Sequence, residues 1–147
     1  MRILALDVGD RRIGVALSDP SGTLASALTV IERSAKERDL RKIAALADEH
    51  QVAQVVVGLP RRMDGTVGEQ AEKVQAFARG LQRFVSQPVV FWDERLTTAA
   101  AERMMIEAGM KRAKRRARID AAAAALILQG YLDYLAASRA AGREPTW

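Results

Sequence analysis

Two stretches of this chain, "RILALDVG" (residues 2–9) and "VAQVVVGLP" (residues 52–60), are apolar with little alternation. A strand with one wet face alternates apolar and polar residues, whereas a continuous apolar run implies cover on both faces. A chain with two such strands must build a layer on each side of a sheet. With 147 residues it can do so as one domain.

The rest of the pattern supplies those layers. "RIGVALSD" follows the first run after a short turn and reads as its hairpin partner, and "TLASALTVI" as a third strand. Ser34 with Glu37 has the spacing of a capping box, and Leu40, Ile43, Ala44 and Ala47 give the helix it opens an apolar stripe. The fourth strand is "VAQVVVGLP", stopped by Gly58 and Pro60. A polar loop leads to a helix with Val74, Phe77, Ala78, Leu81 and Phe84 at helical spacing. "PVVFWDE" is a fifth strand. Thr97 or Thr98 caps a further helix that ends near Gly109, and Asp120 begins the last long one. Residues 136–147 read as a frayed tail of the single domain 1–147. The expected fold is α/β: a mixed five-stranded sheet, three antiparallel strands and then βα units, with helices on both faces.

Composition narrows the chemistry. There is no cysteine and one histidine, His50, which sits in a charged helical stretch and reads as a surface residue. That excludes zinc held by Cys and His, thiolate catalysis, and any Ser-His pair not using His50. The formal net charge of +5 favours a polyanionic partner. No apolar run reaches the ~18 residues of a membrane span, and the N-terminal residues do not resemble a signal peptide. A cytoplasmic protein without membrane contact is expected.

Three carboxylates stand where sites are built. Asp7 stands at the end of the first strand and Asp93 and Glu94 at the end of the fifth, and carboxyl ends hold sites in open α/β sheets; with Asp120, the three that can converge are Asp7, Glu94 and Asp120. Asp120 reaches Ala124, Ile127 and Tyr131 by helical steps, so it belongs to the side of the last helix that faces the sheet. Brought together, the three repel: two charges about 4 Å apart cost about 4 kcal/mol at an effective dielectric of 20. Either one carboxyl is protonated or a cation lies between them, and all-oxygen ligands suit Mg²⁺ or Mn²⁺. Two such ions can activate water and stabilise the leaving oxygen in phosphodiester cleavage. Singly, each acid has a plainer role: a turn residue at Asp7, a helix-dipole partner at Glu94, an ion pair of Asp120 with Arg116 or Arg118. Lys111, Arg112, Lys114, Arg115, Arg116 and Arg118, just before Asp120, are candidates to grip phosphates, or else a solvated surface run. Arg11 and Arg12 after the first strand, and Arg61 and Arg62 in the polar loop, are further candidates. Thr97 and Thr98 read as caps, and Met104, Met105 and Trp92 as core.

"ALDVGDRRIGVALSD", "VVVGLPRRMDGTVGEQAEKVQAFA", "DERLTTAAAE" and "RRARIDAAAAALILQGYLD" resemble, in order, the motifs of the YqgF/RuvX family. That family is described both as Holliday junction resolvase-like and as pre-16S ribosomal RNA nucleases. The resemblance runs from about Arg2 to about Leu135. It implies a ribonuclease H-like fold, an acidic triad falling on Asp7, Glu94 and Asp120, and motif positions at Arg12, Gly14, Asp64 and Gly65. One departure is "PRRMDG", where the family more often has Pro-Leu-Asn-Met-Asp-Gly; Arg61 and Arg62 add charge there.

The resemblance implies a metal-dependent nuclease, processing the 5′ end of precursor 16S ribosomal RNA, with a resolvase of four-way DNA junctions as the alternative. Its partner is nucleic acid, structured or single-stranded RNA or branched DNA. Charged outer helix faces such as "ERDLRK" and "EQAEKVQ" point to a monomer or weak homodimer. Two other classes compete. An ATP-binding protein of the actin and sugar-kinase type also begins with a strand-Asp-x-Gly hairpin, but needs two such domains. A non-catalytic nucleic-acid-binding module has only the acid triad against it.

Overall fold

The structure, a computed structural model, describes residues 1–60, 64, 66–93, 112–140 and 142; over 112–121 it describes the backbone. The elements are β1 (Ile3–Val8), β2 (Arg12–Ser18), β3 (Ala25–Glu32), α1 (Lys36–Glu49), β4 (Gln54–Leu59), α2 (Glu69–Leu81), β5 (Val89–Asp93) and a long helix, α3 (Arg112–Ala140). The strands form one sheet in the order β3-β2-β1-β4-β5. β2 lies antiparallel to both β1 and β3, while β4 runs parallel to both β1 and β5. The expected three-stranded meander followed by βα units is what the chain forms.

The two unalternating runs are the two central strands, and their alternate residues feed separate cores. Leu4, Leu6, Val8, Val55, Val57 and Leu59 pack with Ile43, Ala47, Val74, Phe77 and Leu81 under α1 and α2. Ile3, Ala5 and Val56 pack with Ala124, Ile127, Leu128, Tyr131 and Leu132 of α3 on the other face. Each run is apolar throughout because neither face meets water.

Four details differ from the expectation. Gly58 does not stop β4; it pairs with Trp92 inside the sheet. The capping box at Ser34 does not form. The cap position is Ala35, without a side-chain bond. The buried carboxylate of Asp39 instead reaches back to Ser34, accepting from its N–H at 3.1 Å and from its hydroxyl at 3.2 Å. Glu37 is left to pair with Arg41 at 2.8 Å. The last helix begins at Arg112 rather than Asp120, two turns earlier. Arg, Lys and Ala are strong helix formers, and that preference outweighs the unfavourable meeting of positive charge with a helix N-terminus. At its other end α3 runs to Ala140, so residues 136–140 are helical and not frayed. Leu135 and Ser138, both buried, anchor that last stretch. His50 is half-buried at the end of α1. The expected helix after Thr97 lies outside the described residues. No helix among the described residues is long and apolar enough to cross a membrane.

Candidate active site at the carboxyl ends of β1 and β5

Asp7 lies one residue before the end of β1, opposite Gly14 of β2, and is half-buried. Its strand neighbours on the same face, Ile3 and Ala5, belong to the α3 core, so its side chain stands on the α3 face of the sheet. β5 is separated from β1 by β4 alone. Leu6, Val57 and Phe91 are level across the three strands, so the next residues, Asp7, Gly58 and Trp92, share a row. Strand spacing sets β1 and β5 about 10 Å apart. Both run the same way, so both carboxyl ends open on one edge.

Of the two partners expected for Asp7, Glu94 lies outside the described residues, directly after Asp93, which closes β5. Asp120 lies on the backbone of α3, in its third turn, one helical step before the fully buried Ala124. Among the described residues no group of three His, Cys, Asp or Glu could hold a metal.

The basic candidates fall into three groups. Arg11 is exposed at the turn between β1 and β2. Arg12 faces Glu32 across the β2–β3 pair, and its Nε donates to Glu32 at 2.9 Å. Arg61, Arg62 and Lys111 lie outside the described residues. Arg112, Lys114, Arg115, Arg116 and Arg118 occupy the first two turns of α3. In the polar loop, Asp64 accepts from the N–H of Thr66 at 3.0 Å and from its hydroxyl at 2.7 Å, a local turn.

The turn that follows Asp7 is held more firmly than its sequence suggested. The Gly9 N–H donates to the Arg12 carbonyl at 2.8 Å, and a Cβ at Gly9 would come within 2.8 Å of that backbone oxygen, too close for any residue but glycine without a shift of the turn. Arg33, just beyond β3, reaches the turn twice: its N–H donates to the Arg11 carbonyl at 2.9 Å and its Nη1 to the Gly9 carbonyl at 2.9 Å. The same guanidinium has its Nε 3.7 Å from the buried Asp39 carboxylate and its Cζ 5.1 Å from the Phe77 ring centroid. Lys73 of α2 approaches Asp10 at 3.9 Å. The sequence reading missed Arg33 and Asp39. The spacing of Ser34, Arg33 and Asp39 matches no capping pattern, and the other partners of Arg33, Gly9, Arg11 and Phe77, lie on other elements.

On the same face as Asp7, Trp92 packs edge-on against Tyr131 with centroids 5.9 Å apart, and lies 5.6 Å from Tyr134. Gly130 passes close beneath it; a Cβ there would come within 3.2 Å of the indole Nε1. Trp92 is thus a packing residue between β5 and α3, as expected.

The family model described as RuvX, Holliday junction resolvase, matches residues 1–134. The chain belongs to the RuvX family. Among its curated relatives, the protein of Moorella thermoacetica is 55% identical over 135 residues, covering 92% of this chain and 96% of the relative. That of Desulforamulus reducens is 52% identical over 133 residues, covering 90% and 97%. Both carry the name "Putative pre-16S rRNA nuclease". Among solved structures, Thermus thermophilus RuvC in complex with a Holliday junction superposes with a TM-score of 0.60 at 16% identity, covering 99% of each chain. The fowlpox virus resolvase with its junction DNA gives 0.58 at 13% identity, covering 92% of this chain and 99% of its own. The shared fold is the ribonuclease H-like one, and the RuvX family is a nuclease family.

Proposed function

We propose that this RuvX protein is a divalent-metal-dependent endonuclease that processes the 5′ end of precursor 16S ribosomal RNA, with Asp7, Glu94 and Asp120 as the catalytic carboxylates. The observation that carries the reading is the strand order. β4 lies between β1 and β5 and parallel to both, so the carboxyl ends of β1, near Asp7, and of β5, at Asp93, open on one edge of the sheet. Val90 and Trp92 stand on the α3 face, and the next position of that period is 94. Asp120 precedes the buried Ala124 and Ile127 by four and seven residues, which assigns it by period to the same side of α3. Lengths agree as well. The Tyr131 hydroxyl bonds Gln54, which is level with Ile3. Eleven helical residues back to Asp120 span about 16 Å, close to the length of β1 from Ile3 to Asp7, about 13 Å.

Three carboxylates and no nitrogen or sulfur donor fit hard cations, Mg²⁺ or Mn²⁺, and a pair of ions suits a site of this charge. Bound there, the ions supply an activated water and neutralise the leaving oxygen. The protein's own residues do the rest. The sheet edge fixes the carboxylates, α3 excludes water from beneath them, and the basic first turns of α3 hold the phosphate backbone next to Asp120. Arg11 at the hairpin tip and Arg61 and Arg62 in the polar loop extend that grip. The precursor RNA substrate is taken from the names of relatives that match over nearly their whole length. The charged outer faces of α1 and α2 favour a monomer or weak homodimer.

Junction resolution is the second reading, favoured by the family's description. It asks for two sites facing a symmetric branch. The experiment is cleavage of labelled precursor RNA and of a fixed four-way junction, side by side, with and without Mn²⁺. The expected result is metal-dependent cutting of the RNA that exceeds any symmetric nicking of the junction. Paired symmetric cuts with intact RNA would establish the second reading, and no cutting of either would overturn both.

A further inference from the structure

We propose that Arg33 is a positioning residue for the carboxylate site: it fixes the turn in which β1 ends, and thereby the place where Asp7 meets a divalent cation. The inference rests on the reading of Asp7 as a metal ligand. Arg33 does not lie on β1 and stands on the face of the sheet opposite Asp7, with its guanidinium between α1 and α2. It makes four contacts, two to the turn after β1 and two to the helices α1 and α2. Its backbone N–H and its Nη1 hold the carbonyls of Arg11 and Gly9, both at 2.9 Å. Its Nε faces Asp39, whose side chain is fully buried at the start of α1. Its planar cation lies over Phe77 of α2.

The arrangement has a cost that packing alone does not explain. Asp39 is a carboxylate removed from water, and such a group persists only when paired and hydrogen-bonded. Ser34 and Arg33 satisfy it. An apolar residue at 39 would cover the same core without charge. What the buried pair adds is direction: it aims the guanidinium fork at the Gly9 carbonyl, two residues from Asp7. A planar fork can serve Asp39 with one edge and Gly9 with another, which a lysine ammonium at the end of a flexible stem cannot do with the same geometry. Groups that orient ligands in this way are commonly worth tenfold or more in metal affinity.

The test uses the full chain and three variants: R33A, R33K and D7N. Mn²⁺ binding is read by electron paramagnetic resonance of the free ion. kcat and KM are read on whichever nucleic acid the wild type cuts. R33A and R33K are expected to weaken Mn²⁺ by about tenfold and to lower kcat by a similar factor, with KM for the nucleic acid unchanged. Added guanidinium ion is expected to restore part of the Mn²⁺ affinity of R33A and none of that of D7N. If R33A does not fold, R33K decides alone. Wild-type Mn²⁺ affinity and kcat in folded R33K, alongside loss of both in D7N, would overturn the role of Arg33 and leave Asp7 standing. Wild-type affinity in D7N would show that the Asp7 reading had failed, and the Arg33 inference with it.

Discussion

The two faces of the sheet are built differently. Under α1 and α2 the core is mostly Leu, Ile, Val and Phe, with Ala47, Ala71 and Ala78 among them. On the other face the cover among the described residues is α3, whose contact stripe runs from Ala124 through Ile127, Leu128 and Tyr131 to Leu132 and Leu135. Ala124 is fully buried, and small side chains let a helix axis approach a sheet closely. The first face is packed along α1 and α2, and at one end it also carries the Arg33–Asp39–Phe77 cluster that holds the turn after Asp7. The second is thinned by the small Ala123 and Ala124 in the turn after Asp120, which suits the site proposed there.

The largest test of that contrast is Ile43→Ala on the first face. A fully buried isoleucine lost beneath α1 should cost about 2–5 kcal/mol. Mn²⁺ binding, measured well below the lowered Tm, should be unchanged; a matching loss of metal affinity would mean that the faces are not separate. On the second face, Ala124→Leu overfills the thinned layer and should cost about 1–3 kcal/mol in denaturant unfolding. Here metal affinity should fall as well, since the helix carrying Asp120 is pushed off the sheet. A neutral substitution would refute the close approach.

How much of this was legible follows from where each signal lies. The central strands announced themselves because burial on both faces leaves a local apolar run. Asp7 was legible as the acid that ends such a run. The convergence of β1 with β5 was not, because it depends on β4 inserting between them, and strand order is a property of the whole sheet. The start of α3 was misplaced because the density of charge at Lys111–Arg118 masked a stretch with no helix breaker. The end of α3 was misplaced because "SRAAGREPTW" is polar on average, although Ser138 is buried. Arg33 and Asp39 escaped notice because each looks like an ordinary surface charge until the hairpin turn is folded against α1 and α2.

Tyr131 ties the second face to the amino end of β4. Its hydroxyl donates to the Gln54 side chain at 2.7 Å. Tyr131→Phe should cost about 1 kcal/mol near neutral pH. Burial also pushes the Tyr131 phenol up to about 12 from an ordinary 10.0, against the smaller lowering effect of the Gln54 bond. The folded phenol holds its proton more tightly than the unfolded one. Its contribution is therefore complete below pH 10 and is lost as pH rises through about 12, where the unfolded chain has ionised first. Tyr131→Phe should flatten that part of the stability curve; an identical slope in both proteins would contradict the burial of the phenol.

The smallest expected effect returns to the first face. Glu37→Ala removes an exposed i,i+4 pair with Arg41 and should cost about 0.3–0.5 kcal/mol by denaturant unfolding. A loss of about 1 kcal/mol or more would give Glu37 a capping role at the start of α1 after all.

The central claim is that Asp7, Glu94 and Asp120 form one cation site. The direct measurement is the rise in Tm on adding Mn²⁺ to the wild type and to Asp7→Asn, Glu94→Gln and Asp120→Asn, each at the same protein concentration. A ligand that binds only the folded state stabilises it by RT ln(1 + L/Kd), where L is the free ligand concentration, so the gain keeps growing with free ligand above Kd. The wild type should gain with Mn²⁺, and each variant should lose most of that gain while keeping a metal-free Tm equal to or above the wild type's, since like-charge repulsion falls. Three variants that gain as much as the wild type would contradict the shared site.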